Sequence, residues 1–171
     1  MKLAPGHNAR WLWVSALVVA LDQTTKFWIM RLIPNFGGVA WLPHLNLVHR
    51  QNTGAAFSMM NQAPAMVFIG LSLVVSVGII GWLFKHPRDH RIVAAGFVLI
   101  LGGALGNALD RIRVGYVTDF IDFYVGDWHF AAFNVADSAI TVGAGLLILD
   151  MLIENWRRRG QAPDTAGKDQ H

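Results

Sequence analysis

Four long apolar runs constrain this chain more than any other feature. They are WLWVSALVVALDQTTKFWIMRLI at 11–33, APAMVFIGLSLVVSVGIIGWLF at 63–84, IVAAGFVLILGGALGNALD at 92–110, and a last run over 131–153 that closes on ITVGAGLLILDMLI. A helix rises about 1.5 Å per residue and the hydrocarbon layer is about 30 Å thick, so about 20 apolar residues suffice to cross it. Lipid offers no hydrogen-bonding partners, so such runs are expected as helices. Only the first is interrupted, by Asp22 and Lys26. Its opening, 11–21 behind Lys2 and Arg10, has the form of a signal-peptide core. However, DQTTKFW stands where a small-residue cleavage site would be, and FWIM then resumes the apolar run. The segment therefore reads as a retained helix. The chain is 54% hydrophobic and 15% charged, against about 25% charged in a typical soluble domain. It has no cysteine, which excludes disulfides, thiol catalysis, cysteine-ligated metal and lipidation of its own cysteines.

The basic residues orient the expected spans. Lys2 and Arg10 precede the first, Lys85, Arg88 and Arg91 lie between the second and third, and Arg157, Arg158, Arg159 and Lys168 follow the fourth. The opposite side has only Arg31, Arg50, Arg111 and Arg113. Both termini are accordingly expected in the cytoplasm. The net charge of +3 is then a topology signal, with no nucleic-acid partner implied. Trp11, Trp13, Trp82 and Trp156 stand near span ends, as interfacial anchors do. Between spans, VAWLP and LNLVH have strand character and NTG is a turn signal. YVTDFIDFYV, at 116–125, is an aromatic and β-branched run bounded by glycines. The expected fold is an integral membrane, mainly α protein: a four-helix transmembrane bundle with a small β-sheet and loop cap on its outer face. Residues 1–159 form one domain, and 160–171 a disordered cytoplasmic tail. Gly102 and Gly106 form GxxxG, which predicts close helix packing.

The polar residues cluster. Asn52, Asn107, Asp110, Arg111, Asp119, Asp122, Asn134 and Asp137 all map to the outer half of this topology, with Asp22 nearer mid-span. Asn134 and Asp137 are i, i+3 in the outer end of the fourth run. A charge at lipid depth is costly and often functional. There is no HExxH, no metal-ligand cluster and no route to activate Ser138. Paired carboxylates remain. Two aspartates in one site do not both ionise easily, so one keeps a proton near neutral pH. The ionised member can take a proton from water and the protonated one can polarise a scissile carbonyl. Asp119 and Asp122 are equally placed to partner Asp137. Asp22 and Lys26 are i, i+4 and read as a structural ion pair.

DQTTK at 22–26, NTGAAF at 52–57, GNALDR at 106–111, DFID at 119–122 and FNVAD at 133–137 together resemble the motifs of the lipoprotein signal peptidase (signal peptidase II) family. The resemblance runs to about residue 155. It implies an aspartic endopeptidase of the bacterial inner membrane that cleaves prolipoproteins just before a diacylglyceryl-modified cysteine. Matched to the motifs, Asp119 and Asp137 are the implied catalytic dyad. Asn52, Asn107, Asp110, Arg111 and Asn134 are implied in substrate binding or site support, with Asp22 and Lys26 structural. The resemblance implies no metal or cofactor, membrane lipids as neighbours, a monomer, and inhibition by the cyclic peptide globomycin. Two other classes use the same residues: a small proton-coupled transporter with a carboxylate relay, and a membrane scaffold with a structural polar network. The acids cluster on one side instead of stepping across, and inverted repeats are absent, both of which argue against a transporter.

Overall fold

The computed structural model describes residues 8–54, 64–86 and 90–160. The expected tail and the second half of NTGAAF lie outside them. Four long helices dominate: α1 (Leu12–Leu32), α2 (Ala65–Lys85), α3 (Arg91–Val114) and α4 (Val135–Gly160). A 3-10 turn, Asn8–Trp11, leads into α1. Three of the helices, α2, α3 and α4, are long and apolar enough to cross a membrane. The remaining one, α1, is 21 residues long and buries Asp22 and Lys26 within it.

The helix ends have local causes. α1 stops at Leu32 because Pro34 forces Ile33 into extended backbone, φ −116° and ψ 121°. α3 stops at Gly115, whose φ of 84° is left-handed and whose N–H closes on Arg111 at 3.1 Å. The sequence predicts an end at Asp110, but the helix continues to Val114. Arg111 and Arg113 therefore sit on the last turn of α3 and not in a loop. The fourth run also starts later than its hydropathy suggests. Residues 131–133 are outside the helix, and Phe133 pairs with a strand instead.

α3 packs against all three other helices. Small residues make this possible. A Cβ on Gly102 would lie 2.7 Å from Val18 of α1, and one on Gly106 would lie 2.7 Å from an Asp22 oxygen. A Cβ on Gly103 would collide with the Ala136 carbonyl of α4. Further along, Gly96 and Gly143 each face the other's backbone. The GxxxG expectation holds, and it extends to a second helix pair. An apolar cluster of Ile79, Leu83, Ala94, Val98 and Leu101 joins α2 to α3.

The strands expected between the spans form one antiparallel sheet in the order β1 (Gly38–Leu42), β2 (Leu45–Asn52), β3 (Val117–Val125) and β4 (Trp128–His129). It covers the bundle end where α1 and α3 finish and α4 begins. Ile29 of α1 and Ile33 just after it bury against Phe120 of β3, with Leu47, Ile121 and Val135 around them. This apolar seat fixes β3 on the bundle and so fixes the site.

Candidate active site

β3 carries Asp119 and Asp122. Strand side chains alternate faces, so residues three apart point opposite ways. Asp119 pairs across from Arg50 of β2 and Asp122 from Asn46. Asp122 lies on the opposite face of β3 from Asp119, where it accepts from Asn46 at 2.9 Å and meets His129 Nδ1 at 2.9 Å. Burial alone would raise its carboxyl, but these bonds outweigh burial and hold it below the ordinary value. Asp119 is 3% exposed and faces the bundle. The geometry thus separates two aspartates that composition leaves equivalent.

The segment before α4 brings the second carboxylate alongside. The Phe133 N–H donates to Ile121 at 3.1 Å, and the Phe133 carbonyl accepts from Phe120 and Ile121. That pairing delivers Asn134 to the start of α4 beside Asp119. Asn134 then caps the helix. The Asp137 N–H donates to Asn134 Oδ1 at 2.9 Å, while Asp137 Oδ2 accepts the Asn134 N–H at 3.2 Å. This is the reciprocal bonding of a capping box. With its Oδ1 committed, Asn134 aims its amide nitrogen at Asp119 Oδ1, 2.7 Å away. One fully buried asparagine therefore holds both carboxyl groups.

Two more asparagines complete the set. Asn52 accepts the Gly54 N–H at 2.9 Å and donates to Asp119 Oδ2 at 2.9 Å. Asn107 donates to Asp137 Oδ1 at 2.8 Å. Every oxygen of the two carboxyl groups accepts a hydrogen bond. Burial first, then the neighbouring Asp137 charge, push the Asp119 carboxyl up from 3.8 to about 7, against the pull of Asn52 and Asn134.

Below the pair lies a buried ion cluster. Lys26 Nζ reaches Asp22 at 2.7 Å and Asp110 at 2.8 Å. It also donates to Asn107 Oδ1 at 3.1 Å. The expected Asp22–Lys26 pair is present, and Asp22 does more than pair. Its Oδ1 accepts the Ala136 N–H at 2.9 Å, satisfying a donor of the first turn of α4, which has no partner within its own helix. Asp110 accepts from Gln23 at 2.8 Å and from the Thr118 N–H at 3.3 Å, tying α3 to α1 and β3. Gln23 has no place in the sequence reading. Its only signal there is its position beside Asp22.

Asp119 and Asp137 line one cavity of about 620 Å³, together with Asn52, Asn107 and Arg111. The rest of the wall is largely apolar, from Phe68 on α2, Phe130 and Phe133 ahead of α4, and Ile140 and Val142 on it. The Arg111 guanidinium stacks 4.6 Å over the Phe68 ring and donates to the Gly54 carbonyl. It thus ties α3 to the loop after β2 and also presents a cation to the cavity. Phe68 and Phe130 escape sequence reasoning because aromatics in apolar runs carry no distinguishing mark. Among the described residues no cluster of His, Asp and Glu is suited to hold a metal ion.

Fold and site define a class: a helical membrane protein built around two carboxyl groups at the edge of an apolar cavity. Residues 14–153 match the family model for signal peptidase (SPase) II. The lipoprotein signal peptidase of Coxiella burnetii is 49% identical over 146 residues, covering 84% of this chain and 90% of that one. That of Alteromonas mediterranea is 44% identical, covering 88% and 85%. A bacterial membrane enzyme solved by the in meso method at 2.3 Å superimposes with a TM-score of 0.80 at 25% identity, over 100% of this chain and 99% of that one. A second, solved at 1.9 Å, gives 0.76 at 27% identity, over 89% and 98%. The chain belongs to the signal peptidase II family, and with it to the aspartic-type proteases.

Proposed function

We propose that this chain removes signal peptides from diacylglyceryl-modified bacterial prolipoproteins, cleaving just before the lipidated cysteine, with Asp119 and Asp137 activating the water. The relatives it matches are lipoprotein signal peptidases. The observation that carries the site assignment is the role of Asn134, which caps the helix bearing Asp137 while donating to Asp119. A carboxyl pair held this way titrates as a unit. With one proton between them, the ionised member takes a proton from the attacking water. The protonated member polarises the scissile carbonyl and gives its proton to the carbonyl oxygen. The proton taken from water is then passed to the leaving amine as the carbonyl re-forms and returns a proton to its donor.

The surroundings suit a lipid-anchored substrate. Apolar walls accept acyl chain and signal-peptide side chains, while Asn52 and Arg111 offer polar contacts to the extended backbone beside the bond. Anchoring enzyme and substrate in one membrane removes much of the entropic cost of encounter. In this reading α1 is the fourth span and buries its charges in the bundle. Both termini are cytoplasmic and the sheet lies on the outer face of the inner membrane. The protein acts as a monomer surrounded by lipid, and globomycin competes for the carboxyl pair. Asp110, Lys26 and Asp22 support the site without touching substrate.

The test is direct. Purified protein in detergent is mixed with a diacylglyceryl-modified prolipoprotein, and the product is identified by mass. A product beginning at the modified cysteine, formed only from lipid-modified substrate and blocked by globomycin, supports the assignment. Intact substrate beside well-folded protein refutes it. Proton flux in vesicles would then revive the relay reading.

A further inference from the structure

The Lys26 charge bears on both carboxyls, but the hydrogen-bonded relay from it through Asn107 ends on Asp137 alone. Lys26 is 1% exposed and its ammonium can only donate. It therefore fixes which end of the Asn107 amide faces it. Asn107 Oδ1 takes the bond from Lys26 at 3.1 Å and another from Asn134 Nδ2 at 3.2 Å. The Asn107 nitrogen is left pointing at Asp137 Oδ1, 2.8 Å away. A donor polarised by a cation behind it favours a charged acceptor in front of it. The other oxygen of Asp137 accepts from the backbone N–H of Asn134 at the start of α4, where the helix dipole also favours negative charge. Asp119 has neither advantage. Its donors are the side-chain amides of Asn52 and Asn134.

We infer that Lys26 is a positioning residue for the peptidase reaction. Through Asn107 it designates Asp137 as the ionised member that receives the proton of water, and leaves the shared proton on Asp119. The inference rests on the peptidase reading above. The charged groups that bear on the pair are Asp22 and Lys26 from α1, Asp110 and Arg111 from α3, Asp119 from β3 and Asp137 from α4. Arg111 lies near both carboxyls, with Asp137 the larger of its two attractions. Lys26 offsets one of the two negative charges of Asp22 and Asp110, so the cluster keeps one net negative charge. In the first step one proton passes from water to Asp137 as the water oxygen bonds to the carbonyl carbon. The Asp119 proton passes to the carbonyl oxygen. No other reagent is needed.

Removing Lys26 alone would strand two buried carboxylates, so the test uses Lys26→Gln with Asp22→Asn, which keeps the net charge of the cluster. A glutamine can present either end to Asn107 and has no charge to transmit. Expected is a folded protein whose kcat falls about tenfold or more with KM little changed. The acid limb of its kcat–pH profile should move up, by less than the roughly one unit expected for losing a nearby opposite charge, because the like charge of Asp22 is removed with it. Asn107→Asp is the second variant. It keeps Lys26 partnered but cannot donate to Asp137 when ionised, and the same upward move is expected. If one variant fails to fold, the other decides. A folded variant with an unmoved acid limb overturns the inference, even with reduced kcat, because a purely structural role lowers activity without moving the profile. Wild type and Asp137→Asn run beside them. Cleavage by wild type with none by Asp137→Asn keeps the peptidase reading intact whichever way Lys26 falls. Absence of cleavage by wild type refutes both.

Discussion

At the scale of single residues, hydrogen-bond donors decide what each acid does. Asp122 and Asp119 are the same side chain three positions apart, yet the bonds of one hold it below its ordinary value while burial pushes the other up to about 7. The second shift has a consequence for stability. Between about pH 4 and 7 the folded protein binds a proton at Asp119 that the unfolded chain has lost. Stability must therefore fall as pH rises through that window, then level off. The cost is a few kcal/mol at most, since each unit is worth about 1.4 kcal/mol. Asp119→Asn should remove the slope and melt above wild type at pH 8, as thermal unfolding in detergent would record. Asn134→Ala should cost about 1 kcal/mol through the lost cap. It should lose far more activity than that destabilisation explains, because both carboxyls lose their holder; a melt and a cleavage assay on one sample check this. Lys26→Met should be worse for folding, by about 3–5 kcal/mol, since it strands the buried carboxylates Asp22 and Asp110.

Much of this scale was legible in advance. The cluster of Asp, Asn and Arg residues stood out because polar side chains are conspicuous in an apolar chain. The connections between them were hidden. Asp22 satisfies a backbone donor of Ala136, on a helix that begins more than a hundred residues later, and no spacing rule reports such a contact. In the sequence only the motif resemblance prefers Asp119 to Asp122; the strand adds a physical difference, because period 2 sets the two on opposite faces.

At the scale of elements, the existence of helices and strands followed from the apolar runs and the β-branched stretches, and their ends did not. Hydropathy cannot see that residues 131–133 leave the helix to pair with β3, yet that pairing brings Asn134 to Asp119. Nor does it see that α3 runs past Asp110 and carries Arg111 to the cavity. The contact of α3 with α4 is the element on which the site depends. Gly103→Leu should push α4 off α3 at Ala136, one residue before Asp137. A loss of about 1–3 kcal/mol and of most activity is expected. Gly78→Ala, where an added methyl meets nothing within 4 Å, should leave both unchanged. Paired melts and cleavage assays test the contrast.

At the scale of the whole molecule, a membrane-crossing bundle supports a small sheet, and the reactive groups lie where the two meet. Placing acids there keeps water within reach while apolar walls stand ready for a lipid-anchored chain. The proposed orientation, argued from the basic residues, is open to labelling, because the chain has no native cysteine. A cysteine at Trp41, on the edge strand of the sheet, should react with a membrane-impermeant maleimide added to spheroplasts. One at Arg158 should react only after lysis. The reverse pattern would invert the topology.

The central claim is that two carboxyl groups, held by one asparagine, hydrolyse the signal-peptide bond. Single-turnover cleavage of a diacylglyceryl-modified prolipoprotein by wild type, Asp119→Asn and Asp137→Asn tests it most directly, with each protein first shown to be folded by its melt. Cleavage by wild type, with both folded variants slowed at least about a thousandfold, is the predicted result. Cleavage near the wild-type rate by either folded variant would contradict it.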